Sequence, residues 1–370
     1  MKNICFIVND FNFFYSHRYD LAKTLIEKYN YSVSVICSIG NASLEDIKIC
    51  EENAIKVIHL RQRSEGGAVL KYLINLHRVL KHNQFEQLIF VTLELSFLGA
   101  ILGILNRKHK RIFIISGIGH HYFLKTMKQR LLRKLEKIVF RISAARKSGN
   151  YFVFQNNDDL ELFYNKGILK NYSHAVIFGN GIDTSKFSFS KRTGDEVTFC
   201  YSGRASKPKR IDTLIEAFKL LQEEFPSKKI FLKMFLLSGK NENDFDFLKD
   251  KNISVCYDLN QTNLITELHR CKVFVMPSER EGLPKAALEA ASTGMPIIAA
   301  NTTGTKETVQ NNISGWIFEY ANIKSLMNCM MHAIENSSKL EEIGKRSRNL
   351  VTEKFELNKI AAEYHNLLKS

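Results

Sequence analysis

The sequence predicts an α/β fold made of two doubly wound domains, each built around a parallel β-sheet. At 370 residues the chain exceeds one ordinary hydrophobic core and is long enough for two. Apolar strand-like runs alternate with amphipathic helical runs, which is typical of βαβ units. This alternation begins again after a polar stretch at residues 179–193. Apolar residues make up 45% and charged residues 25% of the chain, which excludes disordered and fibrous classes.

The first half contains predicted strands separated by helices. Asn3–Val8 is a short apolar run that predicts a buried strand, and Leu21–Tyr29 has the periodicity of the helix that follows it. Further strands are predicted at Ser32–Cys37, Ile55–Leu60 and Arg111–Ile115.

The apolar segment Leu88–Leu105 allows two interpretations. Its 18 residues approach the shortest helix that spans a bilayer. However, Glu94 lies within it, and the strand-like run Leu88–Thr92 is followed by the helix-like run Phe97–Leu102. We favour a buried strand followed by a core helix over a membrane span.

The second half repeats the pattern. Val197–Tyr201 predicts a strand, Ile211–Phe218 begins an amphipathic helix, and Asn322–Leu368 is helical in pattern. Four more strands are predicted, at Ile230–Leu237, Val255–Tyr257, Val273–Met276 and Pro296–Ala299.

The polar, turn-rich stretch 179–193 predicts the domain boundary. We therefore expect an N-terminal domain at 1–185, a C-terminal domain at 186–350, and a last helix at 351–370 that packs back across the junction. Doubly wound domains bind ligands at the carboxyl ends of their strands, so a cleft between the two domains is the expected binding site.

The cysteines and the N-terminus predict a cytoplasmic protein. The seven cysteines are scattered without a C-x-x-C pair, which indicates a reducing compartment rather than a disulfide framework. Met1 and Lys2 lead directly into the first strand instead of into a secretory signal.

Positive charge is concentrated in one segment. The formal net charge is +15, and residues 106–147 hold 13 Lys or Arg and a single acid, Glu136. Such a stripe attracts polyanions, either nucleic acid or acidic phospholipid headgroups.

The basic segment also has apolar residues at helical spacing, namely Leu131, Leu135, Ile138 and Ile142. They either pack a helix onto the core beneath a solvated charged face, or form the apolar face of an interfacial helix. We favour the interfacial helix because the charge is so one-sided. The residues then expected to meet an anionic membrane are Lys128, Arg130, Arg133 and Lys134.

The most informative stretch is Pro277–Ala290, which follows a predicted strand. It carries Glu281 and Glu289 eight residues apart, with Gly282 and Pro284 in the loop between strand and helix. A loop entering a helix offers backbone N–H groups to phosphate, and carboxylates accept hydrogen bonds from sugar and ribose hydroxyls. An ordinary acidic helix start would explain either glutamate alone.

This stretch resembles the E-x7-E signature of the retaining glycosyltransferases of family 4, whose GT-B fold consists of two Rossmann-like domains facing a cleft. Ser202–Asp212 is similar to the family's G-R-L-x-x-x-K-G-I-D segment and keeps Arg204 and Lys209 five residues apart. The family's hinge and following segment are matched, in order, by Asn180–Asp183 with Phe187 and by Gly304–Glu307 with Gly315. The resemblance covers nearly the whole chain.

By this resemblance, Glu281 binds the transferred sugar, Glu289 binds the nucleotide ribose, and Arg204 and Lys209 stabilise the leaving diphosphate. Further donor contacts are expected from Gly203, Arg280, Gly282, Leu283 and Pro284. Because two cations carry the charge of the leaving group, we expect neither a metal nor another cofactor. One departure is Arg210, a third cation where the family has glycine.

Segments of the N-terminal half resemble bacterial family members that build lipid-linked O-antigen, capsule or glycoprotein glycans. These segments are Phe13–Arg18, Ser116–Gly119 and Phe154–Asp159. On the acceptor side we expect His17, Arg18, Gly117 and Gly119. His120 and His121 follow a glycine turn and are either structural or in contact with substrate near the reacting centre.

The resemblance implies a metal-independent enzyme that moves a sugar from a nucleotide-diphosphate sugar, expected to be UDP-linked, to a lipid-linked acceptor of the polyprenyl diphosphate type. Bacterial surface-glycan assembly at the inner face of the cell membrane is the expected setting. Two alternatives remain. A UDP-sugar 2-epimerase of the same fold would consume donor without an acceptor. A nucleic-acid-binding protein would use the basic stripe, although that stripe lacks interleaved aromatic residues.

Overall fold

The structure is a computed structural model, described for residues 2–60, 68–105, 109–118, 126–145, 150–169, 173–237 and 250–369. The chain divides into two compact units. The first consists of Met1–Gly181 together with Leu357–Ser370, and the second of Ile182–Glu356.

The described part of the first unit forms a seven-stranded parallel sheet in the order β3-β2-β1-β4-β5-β6-β7. Its strands are β1 (Asn3–Asp10), β2 (Ser32–Ser38), β3 (Ile55–His59), β4 (Gln87–Val91), β5 (Lys110–Ile115), β6 (Tyr151–Phe154) and β7 (Ser173–Val176). The accompanying helices are α1 (Phe11–His17), α2 (Tyr19–Tyr29), α3 (Leu44–Glu52), α4 (Ala68–His82), α5 (Leu93–Leu105), α6 (Met127–Ala145) and α7 (Asn157–Asn165).

Both faces of this sheet are covered, as the alternation of side chains along β1 shows. Ile4, Phe6 and Val8 belong to the core on one face, whereas Cys5 and Ile7 belong to the core on the other. A strand whose two faces are both buried must be apolar throughout, which explains why Asn3–Val8 is a continuous apolar run.

The second unit repeats this architecture with a six-stranded parallel sheet among its described residues, in the order β10-β9-β8-β11-β12-β13. Its strands are β8 (Val197–Arg204), β9 (Ile230–Leu237), β10 (Ile253–Tyr257), β11 (Val273–Met276), β12 (Ile297–Ala300) and β13 (Gly315–Phe318). Its helices are α8 (Ile211–Glu224), α9 (Gln261–His269), α10 (Lys285–Ser292), α11 (Ile323–Glu335) and α12 (Leu340–Lys354).

The last helix, α13 (Leu357–Lys369), belongs to the first unit. Ile360, Tyr364 and Leu368 lie in the same core as β1. The final carbonyls of α13 accept hydrogen bonds from cationic and amide side chains, which suits the negative end of a helix dipole. These donors are Lys2 Nζ at 3.2 Å, Gln87 Nε2 at 2.7 Å and Lys110 Nζ at 3.2 Å.

The structure divides the chain at slightly different positions from those expected. The break lies after Gly181 instead of after residue 185, and the returning segment begins at Leu357 instead of at residue 351. At Gly181 the backbone has φ +82°, and a Cβ there would lie 2.5 Å from Leu357 Cα. Only glycine permits this close approach with this backbone conformation, so the chain turns at this residue.

Most predicted elements are present. The segment Leu88–Leu105 forms β4 and α5, as favoured from the sequence. The stretch predicted to be helical from Asn322 to Leu368 is divided into α11, α12 and α13. In the described part of the chain, no helix is both long and apolar enough to cross a membrane. The cysteines are free thiols, and all but Cys256 are buried.

Candidate active site

The predicted donor residues lie at the point where the strand order of the second sheet changes direction. β8 and β11 are adjacent and parallel, although β9 and β10 lie between them along the chain. Arg204 is the last residue of β8, and the loop that begins at Pro277 follows β11. The carboxyl ends of two strands that diverge in this way form the usual ligand-binding crevice of doubly wound sheets.

An ion pair joins the two loops at this crevice. Lys209 Nζ lies 2.5 Å from Glu281 Oε1, and both side chains are mostly buried, at 20% and 15% exposed. Lys209 ends the 3₁₀ turn Lys207–Lys209, whose Pro208 carbonyl accepts a 2.8 Å hydrogen bond from the Glu279 N–H. The cation predicted for the diphosphate and the carboxylate predicted for the sugar are therefore in direct contact.

The loop that carries Glu281 is held by its neighbours. The Glu281 N–H donates to the Thr303 carbonyl at 3.0 Å, and Thr302 Oγ1 donates to the Ser278 carbonyl at 2.9 Å. Gly304 has φ +78°, and a Cβ there would lie 2.3 Å from the Glu281 carbonyl oxygen. Glycine is therefore required at position 304, because any side chain would push the Glu281 loop away.

The second glutamate forms a separate pair with a lysine. Glu289 lies in the second turn of α10, and its Oε1 is 3.1 Å from Lys285 Nζ one turn earlier. The Glu289 side chain is 10% exposed, so Lys285 fixes the direction of a nearly buried carboxylate. The loop before this helix contributes Gly282 and Pro284, both buried, and Leu283 and Arg280, both half-buried.

The end of β8 presents Arg204 to solvent. Tyr201 Oη donates to the Arg204 carbonyl at 3.1 Å, and Gly203 leaves room for this ring, since a Cβ there would lie 2.7 Å from the hydroxyl. Burial, followed by the nearby Glu281 carboxylate, raises the pKa of Tyr201, so the phenol stays neutral. The Arg204 guanidinium is exposed and forms no hydrogen bond or ion pair with another described residue.

Arg210 is directed away from a role as a third donor-site cation. Its backbone is left-handed, at φ 52°, a conformation that glycine adopts without strain. Its Nη2 lies 3.0 Å from Thr213 Oγ1 and 3.3 Å from Asp212 Oδ2, in the first turn of α8.

Two arginines that the sequence did not single out secure the far end of α10. Arg192 Nη1 donates to the Thr293 and Gly294 carbonyls at 2.9 and 3.1 Å. Arg348 Nη1 donates to the Ser292 carbonyl and also, at 2.9 Å, to the Phe187 carbonyl. Both cations satisfy carbonyls that the end of a helix leaves unpaired. Isolated arginines in so basic a chain gave no signal of this role.

The structure places the predicted acceptor residues in different environments. The His17 ring stacks on Phe13 at 4.7 Å and its Nδ1 is 2.7 Å from Ser16 Oγ. Arg18 is fully buried, and its Nη1 donates to Tyr364 Oη at 3.4 Å, so this side chain packs in the core instead of meeting solvent. Gly117 follows β5 with φ +113°. Gly119, His120 and His121 lie outside the described residues.

The predicted membrane residues lie on α6, whose inner face is formed by Phe140, Ser143 and Glu136. Leu131, Leu135, Ile138 and Ile142 are exposed, so the alternative in which they pack onto the core is wrong. Arg130 and Lys134 are exposed as predicted, and Arg133 is half-buried. The side chain of Lys128 lies outside the described part of the structure.

The described residues contain no group of three or more His, Cys, Asp or Glu side chains that could hold a metal ion.

Comparison with known proteins bears on both units. Residues 183–350 match the family "Glycosyl transferases group 1", and residues 3–147 match the family "Glycosyl transferase 4-like". The capsular polysaccharide biosynthesis glycosyltransferase CapM of Staphylococcus aureus is 24% identical over 354 residues, covering 89% of this chain and 87% of CapM. An Escherichia coli relative, the UDP-Gal:alpha-D-GlcNAc-diphosphoundecaprenol alpha-1,3-galactosyltransferase, is 27% identical over 310 residues, covering 78% and 76%.

Solved structures with the same fold cover the whole chain. Sucrose-phosphate synthase of Thermosynechococcus elongatus superposes with a TM-score of 0.80 at 15% identity, covering 100% of this chain and 98% of that one. HepE of Anabaena in complex with UDP superposes with a TM-score of 0.74 at 15% identity, covering 100% of both. These likenesses confirm the GT-B fold. The chain therefore carries a glycosyl transferase 4-like domain in its first unit and a group 1 glycosyl transferase domain in its second.

Proposed function

We propose that this glycosyltransferase takes its sugar from a UDP-sugar bound at the carboxyl ends of β8 and β11. The observation that carries the proposal is the contact between Lys209 and Glu281, with Arg204 exposed beside it and Glu289 on the following helix. Two cations and two carboxylates at one switch point suit a ligand with a diphosphate in its middle and hydroxyls at both ends.

The proposed chemistry begins with an exchange of partners. When the donor binds, Lys209 moves its charge from Glu281 to the diphosphate, and the Glu281 carboxylate becomes free to accept hydrogen bonds from the sugar. Negative charge grows on the phosphate oxygens as the bond to the sugar breaks, and Lys209 and Arg204 stabilise it. In this scheme the cations carry the whole charge of the leaving group, so we propose that transfer is metal-independent.

We further propose that the anomeric configuration is retained. The support is the resemblance of the Glu281–Glu289 spacing to the E-x7-E signature of retaining enzymes. The acceptor hydroxyl then attacks on the face of the sugar that the diphosphate leaves, without a covalent intermediate on the protein.

For the acceptor we propose a lipid-linked glycan of the polyprenyl diphosphate type. The E. coli relative is named for a GlcNAc-diphosphoundecaprenol acceptor, and a Campylobacter jejuni subsp. jejuni relative, 24% identical over 310 residues, for a bacillosaminyl-diphospho-undecaprenol acceptor. We place the reaction in bacterial surface-glycan assembly at the cytoplasmic face of the cell membrane.

The first experiment measures thermal stabilisation by UDP, GDP and ADP and by their common sugar conjugates. A ligand that binds only the folded protein raises the melting temperature once its concentration exceeds its dissociation constant. We expect a selective shift with UDP that is unchanged by EDTA. The absence of a shift with every nucleotide would contradict the donor site.

The second experiment separates transfer from the epimerase alternative. The purified protein is incubated with the UDP-sugar that stabilises it, with and without an extract of polyprenyl-linked glycans. Transfer predicts that UDP and a longer glycan appear only together, and NMR of the new linkage gives its anomeric configuration. Formation of the 2-epimer in the absence of acceptor, either still linked to UDP or released together with UDP, would instead identify the epimerase.

A further inference from the structure

Helix α6 presents apolar side chains to solvent over its whole length. Met127, Leu131, Leu135, Ile138 and Ile142, here named the apolar ridge, have exposed fractions from 41% to 82%. Their spacing of four, four, three and four residues places them on one face of the helix. That face is opposite the buried Glu136, Phe140 and Ser143, so the ridge points outward from the unit.

A row of cations runs beside the apolar ridge. This basic ridge consists of Arg130, Lys134, Lys137 and Arg141, which repeat at helical spacing. Arg130, Lys134 and Arg141 are exposed and Lys137 is half-buried. The only acid of α6, Glu136, is 9% exposed and lies on the inner face. The outer surface of the helix therefore carries apolar and positive groups and no negative side chain.

Helix α4 also exposes apolar and basic side chains. Its inner residues Tyr72, Leu76 and Leu80 lie in the same core as Phe140 of α6, so both helices cover one face of the sheet. On the outside, α4 exposes Val69, Leu70 and Ile74. Lys71, Arg78 and Lys81 of α4 are exposed as well.

We propose that the outer surface of α6 docks onto an anionic lipid bilayer, with the apolar ridge at the level of the acyl chains and the basic ridge against the headgroups. Parallel apolar and basic rows on one helix are the arrangement of an interfacial helix. Each side chain of the apolar ridge loses contact with water on docking, which is favourable in proportion to the apolar area removed.

The observations favour lipid over the other polyanions and over a second copy of the chain. The phosphates of a nucleic acid would pair with the basic ridge but leave the apolar ridge in water. A second copy would bring two basic ridges together, and like charges repel. The purpose of docking rests on the proposed function, since a lipid-linked acceptor is presented at a bilayer surface.

The test is co-sedimentation with vesicles of phosphatidylglycerol and phosphatidylcholine, compared with vesicles of phosphatidylcholine alone. We expect wild-type protein to bind the anionic vesicles at least tenfold more tightly, since each cation near such a surface adds roughly a fivefold factor in affinity. Arg130→Glu with Lys134→Glu should reduce binding by about tenfold or more. Leu131→Ser with Leu135→Ser should reduce it to a similar degree while leaving its salt dependence unchanged.

Matched controls come from exposed positions of the second unit. Lys228→Glu with Lys229→Glu makes the same change in net charge, and Leu220→Ser removes an exposed leucine from α8. Both should bind anionic vesicles like wild type. Equal loss in these controls, or equal binding of wild type to neutral vesicles, would overturn the proposal. The proposal would also be overturned if the wild-type protein bound a DNA duplex but not vesicles, and if the Leu131→Ser with Leu135→Ser variant bound that duplex equally well.

The experiment distinguishes a failure of the docking proposal from a failure of the proposed donor site. UDP stabilisation is measured on the same variants, and none of the substituted residues is among those assigned to the donor site. Loss of vesicle binding with unchanged UDP stabilisation supports the docking surface. Vesicle binding without any UDP response would leave the docking surface standing and contradict the proposed function.

Discussion

Glu281 holds Lys209 at 2.5 Å across a separation of 72 residues, so the carboxylate and the ammonium group neutralise each other. A diphosphate that enters this site competes with a carboxylate of the protein for the same ammonium group. The strength of donor binding therefore depends on how readily this pair separates. Substituting either Glu281 or Lys209 tests this dependence.

Removing the carboxylate should affect binding and transfer in opposite directions. In Glu281→Gln the Lys209 ammonium loses its competing partner, so we expect UDP to bind more tightly than in wild type. Transfer should fall by about 10²-fold, because the sugar loses a charged acceptor of its hydrogen bonds. Calorimetry with UDP and initial rates of UDP release check the two effects. Unchanged affinity would show that the pair does not compete with the donor, and Glu335→Gln, at an exposed position of α11, serves as the control.

Removing the cation should weaken both properties. We expect Lys209→Ala to lower kcat by about 10²-fold, because the developing charge on the diphosphate loses one of two stabilising groups. Lys209→Arg keeps the charge and should recover part of the rate. A Lys209→Ala enzyme with wild-type kcat and KM would contradict the assignment of the leaving-group site.

The assignment of Glu289 to the ribose can be tested with modified nucleotides. Wild-type protein should bind UDP more tightly than its 2′-deoxy or 3′-deoxy analogue. A carboxylate that accepts a hydrogen bond from a ribose hydroxyl is left without this bond when the analogue lacks that hydroxyl. Glu289→Ala should bind UDP and at least one of the analogues equally. If the variant still distinguishes UDP from both analogues by the wild-type factor, the carboxylate does not contact the ribose.

Gly304→Ala should damage the donor site through the backbone of the Glu281 loop. The new Cβ would lie 2.3 Å from the Glu281 carbonyl oxygen, so the loop must move and UDP binding should weaken. Gly194→Ala is the matched control, because Gly194 also has a positive φ, +85°, but open space around its Cβ position. The control measures the cost of the backbone conformation alone, about 1 kcal/mol, by chemical denaturation. Equal UDP affinity in the two variants would show that Gly304 does not position the Glu281 loop for UDP binding.

Glu136 predicts a pH dependence of stability. Burial raises the pKa of this carboxyl to about 7, opposed by the nearby Arg133 and Lys166. The folded protein therefore holds a proton that the unfolded chain releases at lower pH. This contribution to stability is present at about pH 4.5 and is lost progressively as the pH rises to about 7.

Glu136→Gln removes this dependence, because glutamine does not titrate. The melting temperature of the variant relative to wild type should rise between about pH 4.5 and about pH 7 and be constant above. Melting curves across that range check the difference. A constant offset between the two proteins would show that the carboxyl is not protonated in the fold.

The sequence indicated candidate residues of the donor site but not the contacts between their side chains. Gly203, Arg204 and Lys209 were assigned by resemblance to the family's G-R-L-x-x-x-K-G-I-D segment, and Glu281 and Glu289 by resemblance to its E-x7-E signature. Lys285 was not singled out, although it pairs with Glu289 one turn away. Arg210 was expected to add a cation to the site, but its guanidinium turns to Asp212 and Thr213. The direction of a side chain such as that of Arg210 depends on the residues packed around it, which the spacing of a sequence motif does not reveal.

The sequence by itself determined the doubly wound class and most strands of the two sheets, although not β6, β7 or β13, because the period of apolar residues distinguishes strand from helix. It also determined which residues of α6 share a face. Only the tertiary structure decided that the face with Phe140 and Glu136 is covered and the face with Leu131 and Ile138 is open. Periodicity defines faces, whereas burial depends on what the rest of the chain places against them. For the same reason the contact of Lys209 with Glu281 and the return of α13 to the first unit appear only when distant segments pack together.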